Sequence, residues 1–207
     1  MKLKLPYSPR GNQPEIIDRI ESVIRKRGHI VLESPTGSGK TFCSLAAVLP
    51  TAIKNDLRIV YCVRTNSQQR QVVHELQQFK KAGYPISAVA FQGRESLCPE
   101  QGYDSELKES NWVEKSKICK SLKMQSKIGE TGCRFYRTLL HGGDSLAKKW
   151  SSKILTAEEF AEQAEEEGLC PYELNKLLLR DTRVVIVPYV YFCEEFIRKF
   201  MLGWMGT

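Results

Sequence analysis

The sequence has no apolar run approaching the roughly 18 residues that a membrane span requires. Its first residues, Met1-Lys2-Leu3-Lys4-Leu5-Pro6, contain no apolar core of a secretory signal. These absences predict an intracellular protein, cytoplasmic in a prokaryote and nuclear in a eukaryote. There is no internal repeat and no low-complexity tail. There is no Cys-x-x-Cys pair either, although the chain holds seven cysteines. In a reducing compartment such a set is not a disulfide framework, and spaced thiols point instead to metal binding or catalysis. With 42% hydrophobic and 27% charged residues over 207 positions, the chain has room for one globular domain, or one domain with an insertion. Its formal charge of +7 is unevenly placed: residues 105 to 153 hold eleven Lys and Arg against five Asp and Glu. A local basic excess suits a polyanion, and a solvated lysine-rich face is the plainer alternative.

Hydrophobic periodicity divides the rest. Residues 13 to 27 place Ile16, Ile17, Ile20, Val23 and Ile24 at helical spacing. His29 to Glu33 is a short apolar run that predicts a buried strand. Ser34 to Lys40 is a glycine-rich loop, and Thr41 to Lys54 predicts a helix rich in Ala and Leu. Arg58 to Val63 predicts a second strand. Ser67 to Lys81 predicts a helix with Val72, Val73, Leu76 and Phe79 on one side, and Ile86 to Phe91 a third strand. Strands alternating with helices predict an α/β fold, a parallel sheet with helices on both faces. After Gly93 the rhythm changes. Residues 94 to 171 read as a small helical insertion, polar and Lys-rich, with four cysteines and little to bury. Within it, Ala157 to Glu167 predicts a Glu-rich helix on a solvated face. The α/β pattern returns with a strand at Val184 to Val187 and an amphipathic helix at Tyr189 to Phe200. Three parts follow: 1–93, the insertion 94–171, and 172–207 as the continuation of the first.

Ser34-Pro35-Thr36-Gly37-Ser38-Gly39-Lys40-Thr41 joins a predicted strand to a predicted helix. The strict phosphate-loop pattern has Gly where Ser34 stands, but Gly-x-Gly-Lys-Thr is intact. Gly37 and Gly39 let backbone N–H groups turn inward around phosphate oxygens. The helix that starts near Lys40 adds its positive end. Lys40 is placed to reach the β- and γ-phosphates of ATP, and Thr41 to offer its hydroxyl to Mg²⁺. Ser34, Thr36 and Ser38 complete the cradle. Gln13 precedes Lys40 by 27 residues, and an amide there has the donor and acceptor that adenine's edge asks for. A surface position at a helix start is the plainer role.

Cys98, Cys119, Cys133 and Cys170 all fall in the insertion, separated by 20, 13 and 36 residues. Cys43, Cys62 and Cys193 sit in apolar surroundings and read as small core residues. Four thiolates hold one [4Fe–4S] cluster or one tetrahedral zinc. Spacing alone leaves chance thiols, cluster and zinc all open. A metal centre would explain how a polar insertion folds.

Taken together, these residues resemble the XPD family of iron–sulfur DNA helicases in superfamily 2, along nearly the whole chain. Pro6-Tyr7 with Gln13 resembles the family's N-terminal signature, and Ser34 to Thr41 its motif I. Tyr61-Cys62-Val63-Arg64-Thr65-Asn66-Ser67-Gln68 resembles its motif Ia. Gly93-Arg94-Glu95-Ser96-Leu97-Cys98, Gly132-Cys133-Arg134-Phe135-Tyr136 and Leu169-Cys170-Pro171-Tyr172 resemble segments carrying its cluster ligands, and Val184 to Tyr189 the strand that follows. The resemblance implies a RecA-like domain interrupted by an iron–sulfur insertion. It also implies ATP and Mg²⁺ as cofactors, a [4Fe–4S] cluster on the four cysteines, and 5′-to-3′ unwinding of single-stranded or forked DNA in repair, by a monomer. One departure stands out. The family's Asp-Glu-Ala-His motif, which holds Mg²⁺ and positions the attacking water, is absent from these 207 residues. The chain therefore reads as an N-terminal fragment that lacks the family's later helicase domains and does not unwind DNA efficiently alone.

For DNA contact, the insertion sets Trp112, Phe135, Tyr136 and Trp150 among its basic residues. Arg134, Tyr136 and Arg137 beside Cys133 are the preferred cluster, with packing around the thiol site as the alternative for the aromatic pair. By resemblance, Arg64 and Thr65 grip the nucleic-acid backbone at the carboxyl end of a strand. The competing readings are a DinG-like helicase, a non-catalytic metal-dependent nucleic-acid-binding module, and a small phosphotransferase, for which no substrate pocket is evident.

Overall fold

The computed structural model describes residues 4–103, 105–129 and 131–206; the Trp112 side chain lies outside what it describes. Helix α1 (Gln13–Arg25) opens with Pro14 in its first turn and buries Ile16, Ile17 and Ile20. Helix α2 (Lys40–Lys54) packs on it and buries Phe42, Cys43, Leu45, Ala46 and Leu49. Strand β1 (Ile59–Val63) leads to α3 (Asn66–Lys81), capped by the Thr65 side chain, and then to β2 (Ala88–Ala90). The next elements are short: α4 (Arg94–Leu97), a 3₁₀ turn at Pro99–Gly102, and α5 (Ser105–Glu109). The longer α6 (Trp112–Ile128) starts on an Asn111–Glu114 capping box. Helices α7 (Arg134–Leu140), α8 (Gly143–Trp150), α9 (Ala157–Glu166) and α10 (Pro171–Leu178) follow. Strand β3 (Val184–Pro188) precedes α11 (Val190–Cys193) and α12 (Glu195–Met205).

The sheet order is β1-β3-β2 and both pairings are parallel, with Val184 opposite Ile59 on one side and Ala88 on the other. Central β3 carries four consecutive fully buried residues, Val184 to Val187. Parallel strands covered on both faces need such an uninterrupted apolar run. Among the described residues no helix is long and apolar enough to cross a membrane.

Five expectations need correction. The His29–Glu33 run forms no strand and pairs with none among the described residues, and Val31 is 99% exposed. A strand exists only through its neighbours, and no described strand pairs with this run. The insertion is not poor in core. Phe135, Leu139, Trp150, Ile154, Phe160 and Leu169 are buried and continuous with the core under the sheet. Nor is α9 merely solvated: Ala157, Phe160 and Ala164 face inward, and Trp150 meets Phe160 edge-on at 4.9 Å. Finally, the predicted helix from Tyr189 to Phe200 breaks at Glu194, and Tyr189, Val190, Phe192, Phe196 and Phe200 are all substantially exposed. Cys193, at the end of α11, is exposed with them rather than buried in the core.

Candidate nucleotide and thiol sites

The phosphate loop forms around two backbone kinks. Gly37 and Gly39 have φ of +81° and +82°, in the left-handed region that other residues enter at a cost. Gly39 precedes the first turn of the 15-residue α2, which has no side-chain cap, so its first N–H groups face the loop unclaimed. The Ser34 hydroxyl donates to the Ser38 hydroxyl at 2.7 Å across the cradle. The Lys40 ammonium donates to the carbonyl oxygens of Ser34 (2.8 Å) and Pro35 (2.7 Å). It thereby folds back on the loop and is held where phosphate oxygens can replace those carbonyls. Thr36 lies in the turn of the loop.

Gln13 spends both ends of its amide inside the protein. Its Oε1 accepts from the Arg10 N–H (2.9 Å) and its Nε2 donates to the Ser38 carbonyl (3.0 Å). Here it braces the loop from α1 rather than presenting a free edge to a base. A Cβ on Gly39 would lie 2.5 Å from that Nε2, so the brace and the glycine depend on each other.

Lys40 and Thr41 border a cavity of about 280 Å³ shared with Tyr61, Cys62, Gln68 and Tyr189. It opens at the carboxyl end of β1, the edge at which open α/β sheets bind ligands. Arg64 and Thr65 stand on the same edge. The Thr65 hydroxyl accepts from the Gln68 N–H (3.2 Å), and the Gln68 side chain accepts from the Arg64 N–H (2.9 Å), so Thr65 serves as a helix cap while Arg64 is exposed. Sequence reading missed what fixes this edge. Buried Gln69 donates to the carbonyls of Phe91 (3.0 Å) and Ile186 (3.1 Å) and accepts from Gln92 (2.8 Å), tying α3 to the ends of β2 and β3.

The second site gathers the four insertion cysteines. Cys98, Cys133 and Cys170 each stand at the start of a helical turn. The N–H groups of Glu100 and Gln101 point to the Cys98 sulfur, those of Phe135 and Tyr136 to Cys133, and that of Glu173 to Cys170. Cys119 lies within α6, beside the positive charges of Arg94, Lys123 and Lys176. The thiols also sense one another: Cys98 with Cys119 and Cys133, and Cys170 with Cys133 and Cys98. Burial dominates and pushes Cys133 up to about 11 and Cys170 up to about 12, so both are neutral thiols at neutral pH.

No three His, Cys, Asp or Glu side chains among the described residues are close enough together to hold one metal ion. Zinc, with Zn–S bonds near 2.3 Å, would bring its sulfurs within about 3.8 Å of one another. A four-iron cluster puts iron and sulfide between its ligands and spreads them further apart. Carboxylates stand among these groups too: the Cys133 thiol lies 3.6 Å from Glu100 Oε2, and the negative charge of Glu173 acts on Cys119 and Cys170.

The predicted DNA-contact residues separate. Phe135 is buried, and half-buried Tyr136 lies under the Lys123 ammonium (5.0 Å) and near Cys119 and Cys170, so both aromatics pack around the thiol site. Arg134 is exposed and stacks at 3.7 Å on the ring of Tyr103, which is itself 63% exposed. Arg137 is half-buried on the same helix. Tyr103, alone in a loop, gave no periodic signal by which it could have been chosen.

Fold and sites define a phosphate-loop α/β domain carrying a cysteine-bearing helical insertion between two strands of its sheet. The DEAD_2 family model matches residues 61–205, and the chain belongs to that family. It is 25% identical to an Arabidopsis thaliana homolog of regulator of telomere elongation helicase 1, over 100% of this chain and 22% of the relative. It is 24% identical to human regulator of telomere elongation helicase 1, over 94% of this chain and 18% of that protein. The chain thus spans about a fifth of the length of these curated relatives. A solved XPD helicase shares the fold with a TM-score of 0.61 at 18% identity, covering 93% of this chain and 30% of that one. A truncated XPD does so with a TM-score of 0.53 at 18% identity, over 89% and 47%.

Proposed function

We propose that this chain is the nucleotide-binding N-terminal part of an ATP-dependent 5′-to-3′ DNA helicase that acts in DNA repair. The observation that carries the reading is the loop at the N-terminus of α2, with two glycines at positive φ and the Lys40 ammonium resting on loop carbonyls. That is a preorganised site for the β- and γ-phosphates of Mg-ATP. Membership of the DEAD_2 family and the helicase names of the relatives support the class. Polarity and the repair role rest on the likeness to XPD. Within this reading Lys40 screens charge on the phosphates, Thr41 holds Mg²⁺, and Arg64 and Arg134 meet the backbone of single-stranded or forked DNA. The chain acts as a monomer, intracellular and nuclear if the source is eukaryotic. Lacking an Asp-Glu-Ala-His sequence, these 207 residues bind Mg-ATP without turning it over efficiently. A longer polypeptide that contains this chain should unwind a 5′-tailed duplex with ATP and leave a 3′-tailed one paired. Preference for the 3′ tail, or no unwinding by iron-loaded protein, overturns the assignment.

Cys98, Cys119, Cys133 and Cys170 would hold a [4Fe–4S] cluster, which cross-links segments of the insertion that are far apart in sequence. Serine at any of the four is expected to remove iron and the visible absorption near ~400 nm from anaerobically purified protein. The same change at Cys43, Cys62 or Cys193 should leave both intact. Iron retained by a variant at one of the first four excludes that residue as a ligand, and zinc in place of iron excludes the cluster.

A further inference from the structure

Helix α6 has two distinct faces, and the sites above use only one. On the inner face Leu122 packs against the core and Ser126 is buried. The two lysines there are paired, Lys115 with Glu95 at 3.7 Å and Lys123 with Glu173 at 2.7 Å. The outer face differs. Val113, Lys117, Lys120, Met124, Lys127 and Ile128 are all exposed, and Ile128 is so by 84%. The ion pairs among the described residues leave Lys117, Lys120 and Lys127 without a carboxylate.

These positions step along the chain by three or four residues, the spacing that aligns side chains in one stripe of a helix. From Val113 to Ile128 the stripe runs about 22 Å. The Asn111–Glu114 capping box fixes where the helix starts, and so the register of the stripe.

Apolar residues of a surface helix normally gather on the side that faces the core. Here Met124 and Ile128 stand on the far side, among unpaired ammonium groups, and the mixture selects what can cover it. A nucleic-acid backbone would answer the lysines and leave Val113, Met124 and Ile128 wet. A neutral apolar surface would bury the lysines unpaired, at a heavy cost in lost hydration. A partner that brings carboxylates and apolar side chains in the same alternation answers both. A second copy of this chain does not offer one in its most acidic helix. Helix α9 turns Ala157, Phe160 and Ala164 into its own core, and it engages Glu158 with Arg70 and Glu165 with Tyr103.

We propose that the outer face of α6 is a docking surface for an acidic amphipathic helix of another protein. Its carboxylates pair with Lys117, Lys120 and Lys127, and its apolar stripe covers Val113, Met124 and Ile128. The surface lies on the face of α6 turned away from the core, so it depends on neither the nucleotide reading nor the cluster reading.

The test begins without a chosen partner. Random peptides of roughly 18 residues, five helical turns, are displayed on phage and selected on the 207-residue chain. The selected peptides are then synthesised and titrated by fluorescence anisotropy. They should carry Asp or Glu beside an apolar stripe at i, i+3 and i+4 spacing. Lys117→Gln with Lys120→Gln should weaken them at least about tenfold at low salt, and the difference from the parent should shrink as salt rises. Met124→Ser with Ile128→Ser should weaken them at least about tenfold at every salt concentration. Arg25→Gln with Lys54→Gln removes as much charge from exposed positions on α1 and α2 and should bind as the parent does. All these side chains are exposed, so the variants should melt with the parent.

A selection that yields no peptide, or peptides without acidic residues, overturns the proposal. So do peptides that bind both α6 variants as tightly as the parent. Single-stranded oligothymidylate that binds the parent and is lost from both α6 variants, the apolar pair included, assigns the stripe to nucleic acid instead. A parent that sediments as a dimer, with the Met124→Ser, Ile128→Ser variant a monomer, assigns it to a second copy of the chain.

Discussion

Replacing Gly132 with alanine is expected to destabilise the insertion and to loosen the four-thiol site proposed to hold a cluster. Gly132 has φ of +97°, and a Cβ there would lie 2.4 Å from the Leu122 carbonyl oxygen and 2.7 Å from the Ser126 backbone nitrogen. Backbone left-handedness costs a non-glycine residue about 1–2 kcal/mol. The contacts add more, because they fall on helix backbone that cannot swing aside. Ser126 also matters to the site, since its hydroxyl lies 2.8 Å from the Leu122 carbonyl and 3.3 Å from that of Cys133. Any shift that relieves the methyl moves α6 against α7 and carries Cys119 away from Cys133. Gly129 is the control. It lies in the same connection with extended φ of −162° and nothing within 4 Å of its virtual Cβ, so Gly129→Ala should match the parent. Iron per chain and the thermal midpoint are the readouts. A Gly132→Ala protein that keeps its iron and melts with the parent refutes the packing described for this junction.

Lys40→Ala should weaken Mg-ATP binding at least about tenfold, because a charge-assisted hydrogen bond contributes roughly 1.5–3 kcal/mol. Lys40 holds two carbonyls of the loop, at Ser34 and Pro35, and in the proposed complex phosphate oxygens would take over that ammonium. The variant therefore loses both the loop's tether and the ligand's cation. Its fold should be unaffected, since Lys40 is exposed and the core beneath α2 rests on Phe42, Leu45 and Leu49. Nucleotide titration of parent and variant measures the ratio. Equal dissociation constants would show that ATP phosphates do not sit in this loop.

Much of the α/β part was legible because its signals are local and long. Helices α1, α2 and α3 run 13 to 16 residues, enough for an apolar face to repeat, and β3 is four buried aliphatic residues in a row. Gly-x-Gly-Lys-Thr located the nucleotide loop because glycine geometry there is a chemical requirement. The insertion was harder. Its helices α7, α8 and α9 are 7 to 10 residues long, and each buries only one to three apolar side chains. Phe135, Trp150 and Phe160 thus looked like isolated aromatics among charges, and their shared core appears only when the helices meet. For Tyr136 the sequence leaves DNA contact and packing around the thiol site both open, because it shows the basic neighbours and Cys133 but not Cys119 and Cys170, which the ring also packs beside. For Gln13 the sequence offers a base contact or a plain helix-start position but not the loop brace, because its partners, the Arg10 N–H and the Ser38 carbonyl, are backbone groups that composition does not reveal. The Lys123–Glu173 pair spans 50 positions, beyond any periodic window.

The unpaired stretch at Ile30, Val31 and Leu32 has a consequence for the chain in bulk. The three residues are exposed and no strand pairs with them among the described residues, and an exposed apolar run of this kind can recruit a strand from another molecule. Two molecules that met there would exchange solvent hydrogen bonds for ladder bonds and cover their exposed valines. Exposed aliphatic residues just ahead of the nucleotide loop thus work against the solubility that a net charge of +7 favours. Anything that lays a strand against them acts on colloidal behaviour and on the nucleotide loop together.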